Sequence, residues 1–183
     1  MTTFLIVHGV SGGPQENWFP WLKKELEKSG HEVIVPQFPT PKQQILSEWL
    51  KVLEKYKEKI NKDAILIGHS LGVPFILNVL EKKQVKAVFL VAGFFGKAGN
   101  DFDEGMKTFA QRKFDWKAIK AHCRSFFVFH SDNDSYIRLE KAEELAKQLK
   151  TKVILVKGAG HFNKTSGYLT FSLLLKNIEE FLK

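Results

Sequence analysis

Three segments of this chain carry residue types that could together do acyl chemistry. Ser70 stands in Gly68-His69-Ser70-Leu71-Gly72, a G-x-S-x-G sequence. His161 follows Gly158-Ala159-Gly160. Between them, Ser131-Asp132-Asn133-Asp134-Ser135 offers two carboxylates. A serine hydroxyl is a poor nucleophile until a base takes its proton, and the base needs a third group to fix its tautomer. Serine, acid and histidine in this chain order form one of the arrangements that meet the requirement. Ser70 is the candidate nucleophile and His161 the candidate base, on a flexible loop able to carry an imidazole to the hydroxyl. Only one of the two carboxylates can face that imidazole comfortably. Asp134 is favoured because it lies nearer the following helix, and Tyr136-Ile137 would pack the loop onto the core. Asp132 would then shape the turn through its own backbone bonds.

The developing oxyanion needs donors. The backbone N–H of Leu71, next to the nucleophile, is one candidate, and that of Val10, in the loop after the first strand, is the second. His8 and His69 are expected to be structural, beside that loop and inside the elbow. His130 would support the site from behind, while His31 and His122 lie at the periphery. Gly12-Gly13 lacks the lysine and Ser/Thr of a phosphate-binding loop. No H-E-x-x-H sequence and no cysteine pair suggests a metal site, so neither cofactor nor metal is expected.

With 9 serines and 13 glycines in 183 residues, chance alone would place such a pentapeptide in about one chain in twenty, so its context decides. Ala64-Ile65-Leu66-Ile67 reads as a strand buried on both faces. Val73 onward, with Phe75, Ile76, Val79 and Leu80 at helical spacing and Pro74 in a first turn, reads as a helix. A serine between them is forced into a tight bend, with flanking glycines where a Cβ would collide with strand or helix.

The other elements fall into the same rhythm. Strands are expected at Thr3–Val7, Glu32–Pro36, Val85–Ala92, Phe126–His130 and Val153–Val156. A helix running through Trp18, Trp21, Leu22 and Leu26 is expected to start near Pro14 and to end at Gly30. Thr40-Pro41-Lys42-Gln43 has the spacing of a capping box, with Ile45, Trp49, Val52, Leu53, Tyr56 and Ile60 on one helical face behind it. Short helices are expected near Met106–Gln111 and Trp116–Ala121, a longer one through Leu139–Leu149, and a closing one over Gly167–Leu182. Alternating strands and helices imply a parallel sheet covered on both faces. Right-handed crossovers then put every candidate polar residue at the carboxyl ends of strands.

Composition narrows the function classes. The length fits a single domain, residues 1–183, with 44% hydrophobic and 13% aromatic residues to fill its core. No apolar run is long enough for a bilayer and MTTFLIVHG lacks a basic leader, so no membrane association is expected. A single cysteine, Cys123, expected to be partly buried, fits the cytoplasm. The net charge of +8 comes from 28 basic residues of which only Arg112, Arg124 and Arg138 are arginine. Scattered lysines among glutamates describe a solvated surface rather than a specific nucleic-acid face.

The run His8-Gly9 … Asn17-Trp18-Phe19-Pro20-Trp21-Leu22, the Gly68–Gly72 elbow, Ser131-x-x-Asp134 and Gly160-His161-Phe162 together resemble the small serine hydrolases of the retinoblastoma-binding-protein-9 and YdeN group. The likeness covers nearly the whole chain. It implies a minimal α/β-hydrolase fold, with Ser70, Asp134 and His161 as the triad, which supports Asp134 over Asp132. Two departures stand out: Ser135 follows the acid where relatives often carry proline, and the L-x-C-x-E sequence linked with retinoblastoma binding is absent. The expected fold is α/β, six parallel strands in the order 2-1-3-4-5-6 with helices on both faces. The expected activity is hydrolysis of small ester-like substrates by a monomer, through an acyl-serine. Trp18, Phe94, Phe95, Phe102, Met106 and Phe162 are candidates to line an acyl pocket. The competing classes are a non-catalytic binding protein on the same fold and a nucleic-acid-associated protein.

Overall fold

The computed structural model describes residues 1–183. Six parallel strands form one sheet: β1 (Thr3–Val7), β2 (Glu32–Ile34), β3 (Ile65–His69), β4 (Ala87–Val91), β5 (Phe126–His130) and β6 (Val153–Leu155), ordered β2-β1-β3-β4-β5-β6. The three central strands read as unbroken apolar runs because both faces are covered. Successive side chains point to opposite faces, so the runs split cleanly between two cores.

Phe4, Ile6, Ile65, Ile67, Phe89 and Val91 pack with Phe19, Leu22 and Leu26 of α1 (Phe19–Lys28) and with Leu174 and Ile178 of α7 (Ser172–Leu182). Leu5, Val7, Leu66, Val88 and Leu90 face the larger core. It is closed by α2 (Leu46–Glu54), α3 (Gly72–Leu80), α4 (Asp103–Ala110), α5 (Trp116–His122) and α6 (Leu139–Leu149). Every residue of α3 is buried. That is why its sequence is apolar all round rather than on one stripe. Cys123 is buried in this core, more deeply than the sequence suggests, and burial pushes its thiol up to about 11. Such a thiol is inert at neutral pH.

Several element boundaries differ from the sequence expectation. The proline that opens α1 is Pro20, not Pro14, and residues 14–18 form turns. The expected capping box does not form: α2 begins at Leu46, because the Thr40 hydroxyl accepts the Ser11 N–H at 2.7 Å and donates to Gln44. Thr40 therefore joins two loops instead of starting a helix. The last helix begins at Ser172 and not at Gly167. A short 3₁₀ turn, Lys164–Ser166, comes before it and ends at Gly167, whose φ of +82° stops helical winding.

Candidate active site

Ser70 sits one residue past β3 with φ +54°, a left-handed conformation that costs a non-glycine residue on the order of 1–2 kcal/mol. The bend is fixed by its neighbours. The Ser70 N–H donates to the Val91 carbonyl and its own carbonyl accepts the Val73 N–H, both at 2.9 Å. A Cβ on Gly72 would lie 2.3 Å from the Val7 carbonyl oxygen, and one on Gly68 would lie 2.9 Å from the Gly72 backbone. The elbow thus packs directly on β1, as the motif requires. The Ser70 hydroxyl makes no hydrogen bond within the protein and opens on a cavity that His161 also lines.

The loop after β5 holds the candidate acid. Asp134 Oδ2 accepts the His161 Nδ1–H at 2.8 Å, while Oδ1 accepts the N–H groups of Tyr136 (2.8 Å) and Ile137 (3.0 Å). The carboxylate is fully buried. Burial alone would raise its pKa, but the hydrogen bond from His161, the nearby imidazole charge and the two N–H donors outweigh that and hold it below the usual value. Nδ1 must carry the proton in this pair, which leaves Nε2 as the basic nitrogen on the cavity side. In unliganded sites the last link, from base to nucleophile, is often long and tightens with substrate.

The two catalytic-side loops are stitched together by side chains. Asp132 Oδ1 accepts the Gly158 N–H (2.8 Å), Ser131 Oγ accepts the Ala159 N–H (2.9 Å) and Asn133 Oδ1 accepts the Gly160 N–H (2.8 Å). Asp132 therefore braces the neighbouring loop, where the sequence suggested it would bond only within its own turn. Three further groups hold the His161 segment: His69 Nε2–H donates to the His161 carbonyl (2.8 Å), Trp18 Nε1–H to the Phe162 carbonyl (3.0 Å), and the His161 N–H to Ser166 Oγ (3.3 Å). Burial drives the His69 imidazole down to about 3, aided by the adjacent His161, so it is a neutral strut. His130, also buried, donates from Nε2 to the Ile137 carbonyl (2.9 Å) and closes the base of the acid loop.

On the oxyanion side, His8 Nδ1–H donates to the Gly9 carbonyl (2.8 Å) and Nε2 accepts the Phe38 N–H (3.0 Å), which fixes the start of the loop containing Val10. The N–H groups of Val10 and Leu71 donate to no protein acceptor. No group of three or more His, Cys, Asp or Glu side chains is arranged to hold a metal ion, and no helix is long and apolar enough to cross a membrane.

The family model described as serine hydrolase matches residues 4–180. The chain belongs to the serine hydrolase family. YdeN of Bacillus subtilis (strain 168) is 30% identical over 173 residues, covering 92% of this chain and 90% of YdeN. The crystal structure of the B. subtilis ydeN gene product matches with a TM-score of 0.92 at 27% identity, over 100% of this chain and 99% of that one. Serine hydrolase RBBP9 of Rattus norvegicus is 29% identical over 167 residues, 90% of this chain and 89% of RBBP9. Est1E from Butyrivibrio proteoclasticus, in a structure with ferulic acid bound, has a TM-score of 0.70 at 16% identity, over 98% and 90% of the two chains. That last likeness is one of fold alone. The protein is a hydrolase of the YdeN and RBBP9 kind.

In this serine hydrolase the cavity at Ser70 has a volume of about 530 Å³. Phe102 and Met106 line it, as does Val10. Four other aromatic candidates do not. Trp18, Phe94 and Phe162 are fully buried in the two cores, and Phe95 packs edge-on against Trp116. The walls instead include Asn17, Asn100, Asn163, Lys164 and Leu169, and also Tyr136, which was expected to pack onto the core with Ile137 but stays exposed while Ile137 alone is buried. Tyr136 leans on the His161 ring at 4.8 Å between centroids, and Phe102 lies 6.2 Å from Tyr136. Tyr136 follows Asp134 by two residues, which is the one signal that would have placed it here.

Proposed function

We propose that this hydrolase cleaves small ester-like substrates through an acyl-enzyme on Ser70. The observation that carries the reading is the 2.8 Å bond between the fully buried Asp134 carboxylate and His161 Nδ1, in a cavity shared with the strained Ser70. Ser70 Oγ attacks the acyl carbon while its proton passes to His161 Nε2. The Asp134 charge stabilises the imidazolium that forms. The N–H groups of Val10 and Leu71, free of protein acceptors, receive the negative oxygen of the tetrahedral species. His161 returns the proton to the departing alcohol, and the acyl group remains on Ser70. Water then attacks the acyl carbon, gives its proton to His161, and the carboxylic acid leaves as Ser70 regains its hydrogen.

The substrate class follows from the walls. Polar residues outnumber hydrophobic ones around the cavity, and the exposed side chains of Phe102, Tyr136 and Leu169 supply an apolar rim among them. Such a site favours a short acyl group, with the apolar part of the alcohol on the rim.

A fluorophosphonate probe tests the assignment. It should attach to Ser70 and to no other serine, and Ser70→Ala should abolish labelling and ester hydrolysis together. Labelling elsewhere, or turnover surviving in Ser70→Ala, would overturn the proposal.

A further inference from the structure

A second cavity, of about 340 Å³, shares no lining residue with the one at Ser70. It lies where α2 and the C-terminal end of α3 meet the segment between α4 and α5. That volume is at the small end of the range for ligand sites. Leu46, Leu50, Leu53, Ile60 and Val79 form an apolar wall, and Leu50 is 37% exposed. Arg112 supplies the polar end.

Arg112 is held with one edge spare. Its Nη1 donates to Asn78 Oδ1 and pairs with Glu81 Oε2 at 2.9 Å. Those two partners are themselves anchored. Asn78, nearly buried, donates from Nδ2 to the carbonyls of Pro74 (2.7 Å) and Phe109 (2.9 Å), and Glu81 Oε1 accepts the Asp115 N–H at 2.8 Å. Nη1 is engaged by Asn78 and sits beside the Glu81 carboxylate, while Nε and Nη2 have no protein acceptor and remain as a planar fork. The fork matches a carboxylate two bonds at a time. Charge points the same way. Lys57, Lys82, Lys83 and Arg112 line the cavity against Glu54 and Glu81, and Lys82 and Lys83 have no ion-pair partner.

We propose that this cavity binds an amphiphilic monocarboxylate, its head on the Nε–Nη2 edge of Arg112 and its short aliphatic tail on Leu50, Leu53, Ile60 and Val79. The site is separate from the catalytic one and does not depend on it. Because ester hydrolysis also releases a carboxylate, the experiment must locate the ligand as well as detect it.

Sodium octanoate is titrated into the ¹⁵N-labelled full chain, with octanol and octylamine as controls. Backbone shifts are expected at Leu50, Leu53, Ile60, Val79 and Arg112, with Ser70, Leu71 and His161 unmoved. Octanol and octylamine should bind at least tenfold more weakly than octanoate. Arg112→Gln should weaken octanoate at least tenfold and Arg112→Lys by less, while hydrolysis of a short ester stays as in the parent. Should Arg112→Gln fail to fold, Leu50→Asp, at a partly exposed position, serves the same purpose by placing a carboxylate on the apolar wall; it too should weaken octanoate at least tenfold. Shifts confined to the Ser70 cavity, no shifts at all, equal binding of octanol, or unchanged affinity in the folded variants would each overturn the proposal.

Discussion

Replacing Asp134 with asparagine alters one atom and tests the assignment of the acid. In the parent, Oδ1 accepts two backbone N–H groups and Oδ2 accepts His161 Nδ1–H. The single oxygen of asparagine must stay on the two N–H donors, because an amide NH₂ cannot face them. The new NH₂ then points at His161 Nδ1. A donor there selects the tautomer with the proton on Nε2, which cannot take the Ser70 proton. Losing the charge-assisted hydrogen bond alone is worth about 1.5–3 kcal/mol, or roughly ten- to a hundred-and-fifty-fold in rate. Adding the tautomer penalty and the lost stabilisation of the imidazolium brings the loss to about 10³–10⁴-fold, the range for the same change in other serine triads.

Asp132→Asn keeps an acceptor for the Gly158 N–H and should cost less than about tenfold. The assay is kcat and kcat/KM for an activated acetate ester at neutral pH, with thermal unfolding to confirm that both variants fold. A larger loss in Asp132→Asn, or more than a tenth of the activity left in Asp134→Asn, would refute the assignment.

Three other outcomes are expected. In a series of aryl esters, kcat/KM should be highest for two- to four-carbon acyl groups and fall beyond about eight. Each added methylene gains only ~0.8 kcal/mol if buried, and the open cavity at Ser70 leaves a longer chain increasingly in water; a maximum at twelve carbons or more would refute this. Gly72→Ala should destabilise the fold by about 1–3 kcal/mol or more, since its Cβ would meet the β1 backbone at 2.3 Å, whereas Gly96→Ala meets nothing and bears only the strain of φ +71°; equal melting temperatures would argue against it. Thermal stability should decline as pH falls from 6 toward 4, because His69 protonates near 3 when folded and near 6.5 when unfolded. In that window the unfolded chain binds the extra proton, so each pH unit costs about 1.4 kcal/mol for this one group. The depressed pKa of Asp134 gives a contribution that is present above the unfolded carboxylate value and fades only at lower pH, as its folded pKa is crossed. A melting temperature flat from pH 6.5 to 4.5 would contradict the His69 argument.

The parts of the fold legible in the sequence are those with strong local cause. The bounds of Phe126–His130 are legible because the run is too short for a helix and is filled with β-favouring Phe and Val. The bend at Ser70 was legible because glycines flank it and Gly68 and Gly72 each have a neighbour too close for a Cβ. The acyl-pocket candidates fared worse. Trp18, Phe94 and Phe162 have the residue type of a pocket wall, but type carries no direction, and all three turn inward. Thr40 matched a capping pattern that a distant partner, the Ser11 N–H, overrides. The bonds from Ser131, Asp132 and Asn133 to residues 158–160 span 26 to 28 positions and leave no periodic trace.

The backbone groups at the strand ends explain why so many neutral polar side chains gather there. The loops that carry Val10, Ser70, Asp134 and His161 leave the sheet, so backbone groups in their inner parts lose ladder partners where water does not reach them. Each needs a donor or acceptor, and a charged one would be costly to bury and would disturb the Asp134–His161 pair. A neutral imidazole offers one N–H and one lone pair in a rigid plane. His8 uses both, on the Gly9 carbonyl and the Phe38 N–H; His69 gives its N–H to the His161 carbonyl, and His130 to the Ile137 carbonyl. Burial depresses all three pKa values, so they stay neutral beside the Asp134–His161 pair. In this arrangement four histidines of one chemical type divide into three struts and one proposed base, and the division is made by which backbone groups each ring must satisfy.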